Sequence, residues 1–158
     1  MLSETDLRVV IKLQREWIAK LDKGIKREIV NDLKIDSNFA SIITGVRRCG
    51  KSTLLSQMIN KEKKWYYLNL EDPRLEGFRL SDFTRIEKIF EEDYGKGGVY
   101  FFDEIQNIEQ WEKFIRYIVD KKEKVILTGS NASLLSKELG TKLTGRHIDV
   151  KLYPFSYN

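Results

Sequence analysis

Residues 45 to 52 read Gly-Val-Arg-Arg-Cys-Gly-Lys-Ser, which satisfies the spacing G-x-x-x-x-G-K-S/T. Each residue type has a chemical reason to be there. Gly45 allows a sharp turn, and Gly50 lets the main chain approach an anion with no Cβ in the way. The intervening Val46, Arg47, Arg48 and Cys49 would offer backbone N–H groups to phosphate oxygens, and the helix expected from Ser52 and Thr53 onward would add its positive end. Lys51 is placed to reach the outer phosphates, and the Ser52 hydroxyl to sit on a magnesium ion. The segment therefore predicts a nucleoside triphosphate with Mg²⁺ as its ligand.

A second segment, Val99-Tyr-Phe-Phe-Asp103-Glu104, sets two acids at the end of four apolar residues. In a strand near the phosphate loop, Asp103 would hold the magnesium opposite Ser52. Glu104, one residue further, would orient and polarise a water aimed at the γ-phosphate. Thr128-Gly129-Ser130-Asn131 ends another apolar run. There Ser130 or Asn131 would touch the attacking water and the γ-phosphate, or would simply cap the next helix. GTPases usually carry Asp-x-x-Gly where this chain has Asp103-Glu-Ile-Gln, and no Asn-Lys-x-Asp guanine-reading element occurs. ATP is therefore the expected nucleotide. Lys137 to Arg146 holds too few arginines for the lid of a small-molecule kinase.

These groups need a scaffold, and the apolar pattern supplies one. Phe39–Thr44, Trp65–Leu70, Gly98–Asp103, Val125–Thr128 and His147–Leu152 read as strands. Between them, helices are expected at Ser52–Ile59, after a Ser81 cap with Phe83, Ile86, Ile89 and Phe90 inward, around Ile108, Trp111, Ile115 and Ile118, and near Ala132–Leu139. Alternating strands and helices imply an α/β fold with a parallel sheet covered on both faces and the ligand at the carboxyl ends of its strands. Residues 1–36 place Val10, Leu13, Trp17 and Leu21 at helical spacing, with Ile11, Ile18 and Ile25 alongside. They predict two helices broken near Lys23-Gly24, forming an N-terminal segment packed on a core of residues 37–158. Asp72-Pro-Arg74 reads as a turn, with a neighbour-facing role as the alternative.

Composition narrows the class. The chain has 158 residues, 41% hydrophobic and 33% charged, enough for one folded domain. No apolar stretch is long enough to span a bilayer, and the first residues lack a signal-peptide pattern. One cysteine, Cys49, excludes an internal disulfide framework and suits a cytoplasmic setting. It is read as a tolerated small residue of the loop. The net charge is only +4, and the runs Lys61-Glu-Lys-Lys64 and Lys121-Lys-Glu-Lys124 read as soluble loop tips. Composition alone does not argue for nucleic acid. The single histidine, His147, has no ligand cluster around it and is assigned no metal.

Taken together, Gly-Val-Arg-Arg-Cys-Gly-Lys-Ser, Phe-Phe-Asp-Glu-Ile-Gln, Leu-Thr-Gly-Ser-Asn, Leu-Thr-Gly-Arg and Leu-Tyr-Pro-Phe-Ser resemble the N-terminal part of a prokaryotic family of AAA-superfamily ATPases. The likeness runs over nearly the whole chain. It implies the three-layer P-loop NTPase fold with a five-stranded parallel sheet of order 5-1-4-3-2. It further implies Asp103 on magnesium, Glu104 as the catalytic carboxylate, and a sensor at Ser130 or Asn131. Members of the family continue into a lid and a C-terminal domain, so the chain is expected to be a fragment that hydrolyses ATP slowly. Arg146, in Gly145-Arg146-His147, occupies the place of an arginine supplied in trans to a neighbouring subunit, the reading that would make a homo-oligomer; a strand-end salt bridge is the alternative. Any DNA or protein partner would then engage the missing C-terminal part, and no membrane is involved. The expected function is magnesium-dependent ATP hydrolysis coupled to conformational change. The alternatives are a nucleotide-dependent regulatory switch with little turnover, or a nucleic-acid-processing ATPase whose DNA contacts lie elsewhere.

Overall fold

The computed structural model describes residues 1–21, 33, 35–45, 50–130 and 147–151. The second N-terminal helix, Val46 to Cys49, Asn131, the Ala132–Leu139 helix, Arg146 and the end of the last strand at Leu152 lie outside the described residues. Helix α1 covers Glu4–Lys20 and opens on Ser3, whose side chain accepts from the Asp6 N–H at 3.0 Å. Then follow β1 (Ala40–Thr44), α2 (Lys51–Ile59), β2 (Trp65–Asn69), α3 (Asp82–Tyr94), β3 (Val99–Asp103), α4 (Trp111–Asp120), β4 (Val125–Gly129) and β5 (His147–Lys151). Single 3-10 turns stand at Pro73–Leu75 and Ile105–Asn107.

The strands form one sheet of order β2-β3-β4-β1-β5, every pairing parallel. This is the anticipated 5-1-4-3-2 order read from the other edge. The register sets Thr44 beside Gly129 and Asn69 beside Asp103, so the three segments singled out above finish at one end of the sheet. Strand alternation divides the core. Tyr66, Leu68, Tyr100, Phe102, Val125 and Leu127 pack with α3 and α4 on one face. Tyr67, Val99, Phe101, Ile43 and Ile126 pack with Leu54, Leu55, Met58 and Ile59 of α2 on the other.

Helix α1 lies along β2, an edge strand. Its buried positions are Leu7, Val10, Ile11, Gln14 and Ile18, and Leu13 and Trp17 stay 43% and 49% exposed. The helical spacing holds, but the inward stripe runs through Gln14 and not through Leu13 and Trp17. The cause is the strand's outer edge, whose N–H and C=O groups need partners. The Gln14 amide supplies both, accepting from Asn69 N–H at 2.7 Å and donating to Asn69 C=O at 3.1 Å. At the other end of β2, Arg15 donates to Trp65 C=O at 2.6 Å and lies over the Trp65 and Tyr94 rings.

Two local expectations change. Ser81 does not cap α3 through its side chain, because its backbone is already helical at φ −63°, ψ −22°. Asp82 instead takes the Arg79 N–H at 2.9 Å. Ile108 is buried as expected but precedes α4 in an extended conformation. Asp72-Pro-Arg74 is a turn: Asp72 accepts from the Arg74 N–H at 2.9 Å and pairs with its guanidinium at 2.7 Å.

Candidate nucleotide site

At the carboxyl end of the sheet, Gly50 adopts φ +92°, ψ 24°, a left-handed conformation that glycine takes without a steric penalty. Its carbonyl accepts the Leu54 N–H at 2.9 Å, starting α2 there. Lys51 and Ser52 consequently occupy the first turn of that helix, with half-buried Thr53 beside them. Lys51 is only 5% exposed. Its ammonium donates to the Gly45 carbonyl at 2.8 Å and lies 3.6 Å from the Glu104 carboxylate. Gly45 itself donates to the Gly129 carbonyl at 3.3 Å, which ties the loop's start to the end of β4.

Asp103 closes β3 with 1% exposure. Its Oδ2 accepts from Ser52 at 2.7 Å and from the Tyr67 hydroxyl at 2.8 Å, and its Oδ1 accepts from Thr128. Burial raises this carboxyl above the usual carboxylate range, and the three hydroxyl donors oppose the rise. Tyr67 is also shifted upward, first by burial and then by the Asp103 charge, so it stays a phenol and a donor.

Glu104 leaves the strand at φ +56°, ψ 53°, a left-handed conformation costly for a side-chain-bearing residue. The turn swings its carboxylate out of the sheet. Its N–H donates to Thr128 Oγ1 at 3.0 Å, so one threonine hydroxyl accepts from Glu104 and donates to Asp103. Ser130 Oγ donates to Glu104 Oε1 at 2.6 Å and Gln106 Nε2 to Oε2 at 2.7 Å. Burial pushes the Glu104 carboxyl upward, yet the bonds from Gln106 and Ser130 and the Lys51 charge outweigh it. The net displacement is below the usual range. Two adjacent acids thus respond oppositely to one environment.

The structure brings together Gly45, Gly50, Lys51, Ser52, Asp103, Glu104 and Ser130. Sequence reasoning assigned nothing to Tyr67, Thr128 or Gln106. A signal existed for Tyr67: Asn69 is the register partner of Asp103, so Tyr67, two residues earlier, shares a face with Phe101 and Asp103 on the adjoining strand. That signal requires the strand order. The half-buried Ser52 hydroxyl beside the buried Asp103 carboxylate is a hard-oxygen donor pair of the kind that suits Mg²⁺ completed by phosphate oxygens. Among the described residues, no group of three or more His, Cys, Asp or Glu could hold a metal by itself.

A parallel sheet of this order, with a glycine-led helix after β1 and two acids at the end of β3, defines the P-loop NTPase class. Residues 37–158 match the sequence profile of the AAA domain family, and the chain belongs to that family. It is 39% identical over 142 residues to an uncharacterized protein of Methanocaldococcus jannaschii, covering 89% of this chain and 32% of that one. It is 36% identical over 133 residues to an uncharacterized protein of Haemophilus influenzae, covering 77% and 33% respectively. The chain thus spans about a third of the length of these curated relatives. The crystal structure of the DnaC helicase loader superposes with a TM-score of 0.50 at 16% identity, covering 89% of this chain and 99% of that one. That likeness concerns the fold. Among the described residues, no helix is long and apolar enough to cross a membrane.

Proposed function

We propose that the chain binds ATP with magnesium and hydrolyses it, coupling turnover to conformational change in the cytoplasm, with residues 1–36 as a helical segment on a core of 37–158. The observation that carries this reading is the convergence of Lys51, Ser52, Asp103, Glu104 and Ser130 through contacts of 2.6 to 3.6 Å. Ser52 and Asp103 would hold the magnesium, which when bound supplies positive charge against the phosphate oxygens. Gly45 to Gly50 and Thr53 would cradle the phosphates, and Lys51 would meet the outer ones. Glu104, kept ionised by its donors, would orient a water and draw on its proton. Ser130, already bonded to Glu104, would report the γ-phosphate, with Asn131 beside it. Arg146 would serve a second copy in trans.

Binding of a fluorescent ATP analogue tests the assignment. Lys51→Ala is expected to lose that binding while the protein remains folded. Unchanged affinity would show that the loop does not hold the phosphates. Arg146→Ala should leave binding intact and slow turnover. Full turnover in that variant would remove the trans contribution.

A further inference from the structure

The opposite end of the sheet has its own charge pattern. Because β2, β3 and β4 are adjacent and parallel, the loops leading into them must emerge side by side at the amino end. Two of these loops are the lysine runs that read from sequence as separate soluble tips. Folding puts them on one hollow of about 380 Å³. Lys61, Lys63 and Lys64 come from one loop and Lys122 and Lys124 from the other, and all five are exposed. The acids there are Glu62 and Glu123, and Lys121 stands 3.7 Å from Glu123.

Between the runs lies the turn before β3. Gly97, at φ +85°, is exposed, with no atom within 4 Å of the place a Cβ would occupy. This part of the lining is bare main chain, open to close approach. Lys64 is steadied by the Lys96 carbonyl at 2.8 Å and Lys122 by the Asn38 side chain at 3.0 Å, and neither neutral contact removes a charge. Val99, the only apolar side chain in the lining, is 4% exposed. The hollow therefore has nothing to insert into a bilayer and no ring on which a base could stack. What it presents is spread, hydrated, loop-borne positive charge. That suits the repeating anions of a phosphodiester backbone, read by charge and not by base.

From this we infer that the amino end of the sheet is a nucleic-acid backbone site, at the opposite end of the sheet from the triphosphate site and independent of it. This places a nucleic-acid contact within the chain itself.

The test is anisotropy of a short labelled DNA duplex of random sequence, titrated with the chain between about 50 and 200 mM salt. The wild type should bind with a steep salt dependence. Lys63→Ala combined with Lys124→Ala should reduce the log–log salt slope by about 2 and weaken binding at low salt by at least about tenfold. Glu62→Gln should tighten binding a few-fold, a gain that damaged folding cannot produce. Affinity for the ATP analogue should be unchanged in each variant. An unaltered slope in the double variant, or no duplex binding by the wild type near 50 mM salt, overturns the inference. Lysine-dependent binding to phosphatidylserine vesicles without duplex binding overturns it too.

Discussion

Tyr66 and Tyr67 are consecutive residues of β2, each 1% exposed, yet they belong to different halves of the molecule. Tyr66 turns toward α3, stacking on Phe90 at 4.9 Å between centroids. Its hydroxyl donates to the Gly95 carbonyl and accepts from Gly98 N–H at 3.1 Å. Tyr67 turns toward α2 and spends its hydroxyl on Asp103. The same pleat therefore delivers one phenol to backbone closure at the amino end and the other to a carboxylate at the carboxyl end. On the aromatic face, polar atoms satisfy the fold. On the α2 face, the hydroxyls of Ser52 and Tyr67 converge on the Asp103 carboxylate.

This contrast makes the two faces separable by mutation. The largest expected effect is on the aromatic face: Phe83, fully buried against Phe78, Phe102 and Phe114, should cost about 3–5 kcal/mol when changed to Ala. Denaturant unfolding would measure this, and ATP-analogue affinity of the folded protein should not move. Tyr66→Phe should cost about 1–3 kcal/mol, because Gly98 N–H loses its partner in a buried setting. Gly98→Ala should act alike, since a Cβ there would come within 2.7 Å of the Tyr66 ring.

Tyr67→Phe tests whether the two faces are distinct. It should cost less stability than Tyr66→Phe, because Asp103 Oδ2 keeps its bond from Ser52, and reduce ATP turnover by about 10–100-fold, as loss of a group orienting a ligand does. Steady-state turnover beside thermal melting reads both, and a stability loss matching that of Tyr66→Phe would erase the distinction. The smallest effect concerns the Asp72–Arg74 pair at the end of β2. Arg74→Ala should cost up to about 1 kcal/mol at neutral pH. Hydrogen bonds from Arg74 push Asp72 from 3.8 down to about 2. A lowered carboxylate stabilises the fold above its unfolded value and loses that contribution as pH falls through the folded one. The gap between wild type and variant should therefore shrink between pH 3.8 and about 2.

The sequence exposed those parts of the site that lie next to one another in the chain. Gly50, Lys51 and Ser52 share one turn, and Asp103 ends β3 with Glu104 directly after it. The strand–helix alternation likewise gave the layers and the carboxyl-end location. Contacts made across strands were hidden. Thr128 links Asp103 to Glu104 only because β3 and β4 are neighbours, and neighbours in a parallel sheet are far apart in sequence. Gln14 was missed for a related reason. A polar residue in an apolar stripe reads as an interruption until the unpaired edge of β2 is seen beside it. Ser81 shows the reverse error, a good capping residue that was not needed.

In the proposed function Glu104 acts on water while Lys51, Ser52 and the loop hold the nucleotide. Glu104→Gln separates these roles with little change of shape. Bound nucleotide and product formation should be followed together in a single-turnover experiment with radiolabelled ATP. ATP affinity should be retained, with hydrolysis reduced by about 10²–10⁴-fold. Hydrolysis at the wild-type rate, with ATP bound as before, would contradict that role for Glu104.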